Sequence, residues 1–160
     1  MESIKIIKSI ITDRRLENEI SHGRYLAQAA AGEVWNWESQ AGKERWKRRV
    51  GILVSHIQKG MSVLELGCGT GYFTKELLGL GAHITAIDVS PDLLKIAVEN
   101  VPDPSVSFMI ETAFQMTFAD SSFDLVLGSS ASHHLDIGRA LSEIYMILKD
   151  GGKMIFTEPN

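Results

Sequence analysis

What this sequence has little of narrows it quickly. It carries one cysteine, Cys68, in 160 residues. A lone thiol makes no internal disulfide, so a bridged scaffold is excluded and a reducing, cytoplasmic setting is the expectation. Proline is scarce, four in all, and Pro102 and Pro104 bracket a single turn. No apolar run approaches the roughly 18 residues that suggest a membrane span. The isoleucine-rich start, Met1 to Ile11, is interrupted by Lys5 and Lys8 and is followed by no small-residue cleavage site, which argues against a signal peptide. Charge of one sign is also lacking: the net is −4, so no global field draws the chain to nucleic acid or to an anionic membrane. Internal repeats and low-complexity tracts are absent.

What is there fits one soluble domain, with 44% hydrophobic and 22% charged residues. Its texture changes once. Residues 1–58 read as helical. Ile4, Ile7 and Ile11 share a helical face, Ala27–Ala31 is a helix-forming run that Gly32 stops, and a polar helix from about Gly42 to Gln58 carries Trp46, Val50, Val54 and Ile57 on one stripe. From residue 59 short apolar runs alternate with helical stretches. Strands are expected at Ser62–Leu66, His83–Asp88, Ser105–Ile110, Phe123–Gly128 and Lys153–Glu158. Helices are expected at Gly71–Leu80, from Ser90 (cap) and Pro91 (first turn) to about Asn100, and after Asp136 with Ile137, Leu141, Ile144 and Leu148 as a stripe that Gly151 and Gly152 end. This alternation predicts an α/β, doubly wound, mostly parallel sheet behind amino-terminal helices, with its ligand site at the carboxyl ends of the strands where strand order reverses.

The most informative segment is Glu65-Leu66-Gly67-Cys68-Gly69-Thr70-Gly71-Tyr72, a strand feeding a glycine turn. Glycine permits positive φ and close approach of a ligand to the main chain. Asp88 follows 17 residues after Gly71, at the end of the second strand, where a carboxylate can accept hydrogen bonds from ribose hydroxyls. A dinucleotide fingerprint needs glycine at the first, third and sixth places of its loop, and here the sixth place holds Tyr72. A carboxylate at Glu65 is also a poor neighbour for a pyrophosphate. It suits a ligand with an amino group and a sulfonium. Cys68, inside the loop, reads as a small packing residue rather than a nucleophile.

Glu65-x-Gly-x-Gly-x-Gly, Ile87-Asp88-Val89-Ser90, Phe123-Asp124-Leu125-Val126 and Leu148-Lys149-Asp150-Gly151-Gly152 occur in this order. Over residues 61–160 the chain thereby resembles the class I S-adenosylmethionine-dependent methyltransferases, and most of all their ubiquinone/menaquinone-biosynthesis-like branch (methyltransferase type 11). The resemblance implies a Rossmann-like core over 59–160 that binds S-adenosylmethionine and releases S-adenosylhomocysteine, with 1–58 as a helical segment covering the cofactor site. It implies that Gly67, Gly69 and Gly71 line the methionine moiety and that Glu65 sits near its amino group, through loop backbone or water. Asp88 would bind the ribose, Val89 would pack on the adenine, Ala113 and Phe114 would meet the adenine edge, and Ser129 and Ser130 would face the methionine and the transferred methyl. The family commonly has Gly-Asp-Ala after the third strand. This chain has Glu111-Thr112-Ala113, so either the neutral Thr112 serves the adenine or Glu111 substitutes.

Methyl transfer is an in-line displacement with a good leaving group, so alignment supplies much of the catalysis, and a base is needed only where the acceptor must lose a proton. His133 and His134 are the candidate bases, against a packing or capping role beside Asp136. No metal site is expected. Tyr25, Trp35, Trp37 and Trp46 either line an acceptor pocket or anchor helices to the sheet. The cluster Lys43, Arg45, Lys47, Arg48 and Arg49 reads as a solvated helix face rather than an RNA site, since the chain is acidic and Glu44 interrupts it. Ser129-Ser130-Ala131-Ser132 stands where amino-group methylases carry an Asn-Pro-Pro-Tyr-like signature. That disfavours adenine or glutamine amide acceptors, and the expected acceptor is a small molecule, a quinone precursor or metabolite. An RNA or protein methyltransferase, and a catalytically silent cofactor-binding module, are the alternatives. The resembling fold has two strands after the fifth, so the chain is expected to be truncated there, and pairing of two copies through the edge of the fifth strand is the expected consequence.

Overall fold

The structure is a computed structural model that describes residues 14–28, 36–129 and 137–158. Helix α1 (Arg14–Gln28) and helix α2 (Gln40–Val54) precede the sheet. Strand β1 (Ser62–Leu66) leads through the glycine loop and a short 3-10 turn (Thr74–Leu77) to β2 (His83–Asp88), α3 (Pro91–Asn100) and β3 (Val106–Ile110). Strand β4 (Phe123–Ser129), helix α4 (Ile137–Ile147) and β5 (Leu148–Thr157) complete the described elements. All four strand pairings are parallel, in the order β3-β2-β1-β4-β5. The doubly wound α/β architecture expected from the alternation is the one observed. The chain builds outward from β1 to β3, then returns to lay β4 against the other side of β1. The carboxyl ends of β1 and β4 therefore flank the point of reversal, where open sheets of this kind hold ligands.

The two faces of the sheet bury separate cores, because successive residues of a strand point to opposite sides. Val63, Ile84, Ala86, Leu125 and Leu127 face Leu53 of α2 and Leu94 of α3. Leu64, Leu66, Ile87 and Val126 face Ala140, Ile144 and Ile147 of α4. At roughly 1.5–3 kcal/mol per buried aliphatic side chain, these layers are the main favourable contribution to the fold. Local signals set the element ends. Ser39 caps α2 by accepting the Gly42 N–H at 3.0 Å, and Ser90 caps α3 by accepting the Leu93 N–H at 3.3 Å, with Pro91 in the first turn.

Several expected elements differ. Gly71–Leu80 forms no α-helix but only the 3-10 turn, because Gly71 and Gly79 sit at φ +76° and +74° and leave too short a span between them. On α4 the buried stripe is Ala140, Ile144 and Ile147, while Ile137 and Leu141 of the expected stripe are exposed. The fifth strand does not wait for Gly151 and Gly152 to end the helix. It begins at Leu148, and Gly151, at φ +77°, falls inside it beside a register irregularity between Phe123 and Leu125. Helix α2 buries Gly42, Arg49 and Leu53, a face turned from the expected Trp46–Val50–Val54–Ile57 stripe, whose members are half-buried. Arg49 is thus no solvated member of a basic cluster: it is 7% exposed, with its guanidinium 5.4 Å from the Trp37 ring centre. The expected alanine-rich helix lies only partly within view, since α1 ends at Gln28 and 29–35 lie outside the described residues, as do Ile4, Ile7, Ile11 and Trp35.

Candidate cofactor site

At the carboxyl ends of β1, β2 and β4 an open cavity of about 210 Å³ is bounded by the glycine loop, the β2 and β3 exits, Ser129 and one side of α1. Its floor follows from strand parity. Leu66 and Ile87 point to this side of the sheet and line the cavity. The turn after Leu66 then presents main chain instead of side chain, with Gly67 at φ +67° and Gly69 at φ +55°, values an L-residue adopts only with strain.

Asp88 is the best-anchored polar group here. Its Oδ2 accepts the Gly69 N–H at 3.0 Å and its Oδ1 accepts the Ser90 N–H at 2.9 Å. One carboxylate thus ties the glycine loop to the start of α3 while facing the cavity. Burial pushes its pKa up, and backbone donors at Ser90, Gly69 and Val89 pull against that shift. A carboxylate accepts several hydrogen bonds, so the side chain is preorganised to receive hydroxyls. Val89 lies beside it on the cavity wall.

Beyond β3, Glu111, Thr112, Ala113 and Phe114 line the opposite end. Thr112 is 6% exposed, and its hydroxyl accepts the Phe114 N–H at 3.3 Å, which closes a tight turn. The Thr117 hydroxyl donates to Glu111, and the Arg139 guanidinium lies 5.2 Å from the Phe114 ring centre. Ser129 lines the cavity at the end of β4, and its Oγ accepts from the Thr157 hydroxyl at 3.2 Å.

Seven of the expected cofactor residues therefore meet at one cavity: Gly67, Gly69, Asp88, Val89, Ala113, Phe114 and Ser129. Glu65 and Gly71 do not line it. Glu65 has the parity of Val63, so its carboxylate points to the far face of the sheet, where the buried Thr74 hydroxyl donates to Oε2 at 2.7 Å. With 2% of the residue exposed, burial raises its pKa to about 7, the Thr74 hydrogen bond opposing that shift. Glu65 braces the glycine loop from beneath rather than facing the cavity. Gly71 serves packing: a Cβ there would sit 3.0 Å from Val101 Cγ2. The Cys68 thiol is buried and its pKa is pushed up by that burial, which fits the packing role. His133, His134 and Ser130 lie outside the described residues.

Of the amino-terminal aromatics, Trp37 and Trp46 are anchors and do not line this cavity. Trp46 stacks on Phe73 with ring centres 4.1 Å apart and meets Trp37 edge-on at 5.3 Å, which clamps α2 to the segment after the glycine loop. Tyr25 is 65% exposed. The expectation of a helical amino-terminal segment over the site named none of its lining residues, which on α1 are Leu16, Glu19, His22, Gly23 and Leu26. Their only signal was the helical spacing of Leu16, Glu19 and Gly23, which no motif marks.

The sequence profile of the methyltransferase domain family matches residues 64–156, more than half of the chain. The chain belongs to that family. Within it, the chain is 31% identical over 138 residues to an O-methyltransferase of Penicillium expansum, covering 78% of this chain and 50% of that protein. It is 28% identical over 144 residues to a ubiquinone/menaquinone biosynthesis C-methyltransferase of Psychromonas ingrahamii, covering 85% and 57%. Among solved structures it resembles a phosphoethanolamine N-methyltransferase of Haemonchus contortus in complex with S-adenosylhomocysteine, with a TM-score of 0.65, 28% identity, and coverage of 69% of this chain and 28% of that one. The chain spans about half the length of the curated relatives it matches. A methyltransferase domain of this class takes S-adenosylmethionine as its cofactor, and the glycine loop, the anchored Asp88 and the cavity between them fit that molecule.

Proposed function

We propose that the domain holds S-adenosylmethionine in this cavity and serves methyl transfer to a small-molecule acceptor. The observation that carries the reading is Asp88, fixed by backbone donors at the mouth of a glycine loop whose main chain, not side chains, faces the cavity. When bound, the cofactor supplies an electrophilic methyl on a sulfonium, a good leaving group. The chain's own residues bind and orient. Asp88 receives the ribose hydroxyls, Gly67 and Gly69 let the methionine moiety lie close to the backbone, and Val89, Ala113 and Phe114 enclose the adenine. Ser129 stands at the end of β4, on the side from which an acceptor reaches the methyl. Fixing donor and acceptor in line supplies most of the rate such a displacement needs. Where the acceptor must lose a proton, His133 or His134 takes it.

The acceptor reading rests on the relatives. Those named above are an O-, a C- and an N-methyltransferase, so the shared domain goes with three different acceptor atoms, and a small metabolite fits two of their names. Calorimetric titration with S-adenosylmethionine and S-adenosylhomocysteine tests the proposal. Micromolar binding that Asp88→Ala weakens at least tenfold is expected, since roughly 1.5–3 kcal/mol attends each hydrogen bond to a charged group. A folded chain that binds neither, or binds both equally with Asp88→Ala, refutes it.

A further inference from the structure

Two side chains close the glycine loop on itself. Glu65 is the last residue but one of β1 and Thr74 opens the 3-10 turn, so the pair brackets the chain from Leu66 to Phe73. The Thr74 hydroxyl donates to Glu65 Oε2 at 2.7 Å, and Thr74 and Glu65 are 0% and 2% exposed. Water does not compete at that depth, and a hydroxyl bonded to a buried carboxylate is among the stronger hydrogen bonds a protein makes. The span between them needs closure. Gly67, Gly69 and Gly71 all sit at positive φ, and glycine loses more freedom on ordering than any other residue. Other ties hold the loop to its neighbours: the Cys68 N–H donates to the Ile87 carbonyl at 3.0 Å, and Asn100 Nδ2 donates to the Thr70 carbonyl at 3.0 Å. The Glu65–Thr74 bond instead joins its entry to its exit. Phe73, next to Thr74, is held from outside by its stack on Trp46 of α2. An acid in this place opposes stability, since burial raises its pKa to about 7 against the pull of the Thr74 hydrogen bond.

Resting on the reading of this cavity as the cofactor site, we propose that Glu65 and Thr74 are positioning residues: their hydrogen bond is a clasp that keeps the glycine loop in the shape that receives the cofactor, although neither side chain lines the cavity. The buried acid thus works against the stability of the fold and in favour of binding. Ionised Glu65 only accepts, so the bond has one direction and the loop one closed form.

The test uses calorimetry with S-adenosylhomocysteine at about pH 8, above the folded pKa of Glu65, together with amide hydrogen exchange of the unliganded chain. Thr74→Val keeps the volume and loses the hydroxyl; Thr74→Ser keeps the hydroxyl and loses a methyl group. A clasp predicts that Thr74→Val weakens binding about tenfold and speeds exchange in residues 67–71 ahead of the sheet, while Thr74→Ser stays near wild type. A side chain that only fills space predicts the reverse order, and that order overturns the inference. Glu65→Gln gives a second reading that does not depend on Thr74→Val folding. It weakens the bond by removing its charge, so affinity falls about threefold to fivefold even as the denaturant midpoint rises. Affinity that is unchanged, or that rises with stability, overturns the clasp. A folded wild-type chain that does not bind S-adenosylhomocysteine overturns the cofactor reading itself, whereas wild-type binding that all three variants share overturns the clasp alone.

Discussion

Gly23→Ala pits two effects of opposite sign against each other at a single carbon atom. In an isolated helix the change stabilises by about 1 kcal/mol, because glycine loses more backbone freedom on ordering. In this protein the new Cβ lands 2.5 Å from both Cβ and Oγ of Ser90 and 3.3 Å from Leu93 Cδ1. The leucine methyl can turn aside, but Ser90 has nowhere to go. It is 1% exposed, and its hydroxyl accepts the Leu93 N–H that caps α3. Giving way costs that cap, about 1 kcal/mol, and overpacking a close contact typically costs about 1–3 kcal/mol. The net expectation is that α1 docks about 1 kcal/mol less favourably. The sheet core does not rest on α1, so thermal unfolding of the bulk shifts little. Cofactor affinity falls, since the molecules with α1 undocked lack one wall of the cavity and apparent affinity scales with the docked fraction. Calorimetry with S-adenosylhomocysteine should show a loss of up to about fivefold for Gly23→Ala and more for the bulkier Gly23→Val. Wild-type or tighter binding by Gly23→Ala refutes the reasoning, for it means that the helix slides to accommodate the methyl and the Gly23–Ser90 contact does not set its position.

Two further predictions concern other parts of the fold. Glu65 has a folded pKa of about 7, raised by burial. An acid raised on folding imposes no penalty while protonated in both states, and a growing one as pH climbs from its unfolded value toward its folded one. Denaturant midpoints should therefore fall between about pH 4.5 and 7, and Glu65→Gln, which keeps an acceptor for Thr74, should flatten that fall and gain a few kcal/mol at neutral pH; parallel profiles for the two proteins would falsify the assignment. Pairing of two copies along the edge of β5 predicts twice the chain mass by light scattering at micromolar concentration, and a monomer there removes it.

Much of this fold is legible in the order of residues. The strands ending at Leu66 and Asp88 are short apolar runs closed by a glycine turn and a serine-proline cap, signals that tertiary packing has no reason to override. The misreadings arise where two periodicities meet. Leu148 continues the helical spacing of Leu141 and Ile144, yet it pairs with Phe123 as the first residue of β5. Lys75, Glu76, Leu77 and Leu78 favour helix, but the flanking glycines at positive φ confine them to a single turn. Within the site, motif position and strand parity disagree at Glu65: the motif assigns it to the ligand, whereas alternation sends it to Thr74 and leaves Leu66 on the cavity side. The α1 residues at the cavity were not legible individually, because no motif marks them and only the docking of α1 on α3 brings them to it.

The cavity draws on α1 and on the chain from Leu66 to Ser129, and among the described residues nothing from α4 or β5 lines it. Those later elements buttress the site from behind, as Glu143 does in accepting the Met116 N–H at 2.8 Å. In the language of protein evolution, the fold puts the cavity lining and its later supports on separate stretches of chain. On the proposed reading, the half-sheet that lines the cavity would serve as a cassette for the nucleoside. Whatever chooses the acceptor can be rebuilt around it without retuning the grip, which suits a domain whose relatives methylate oxygen, carbon and nitrogen.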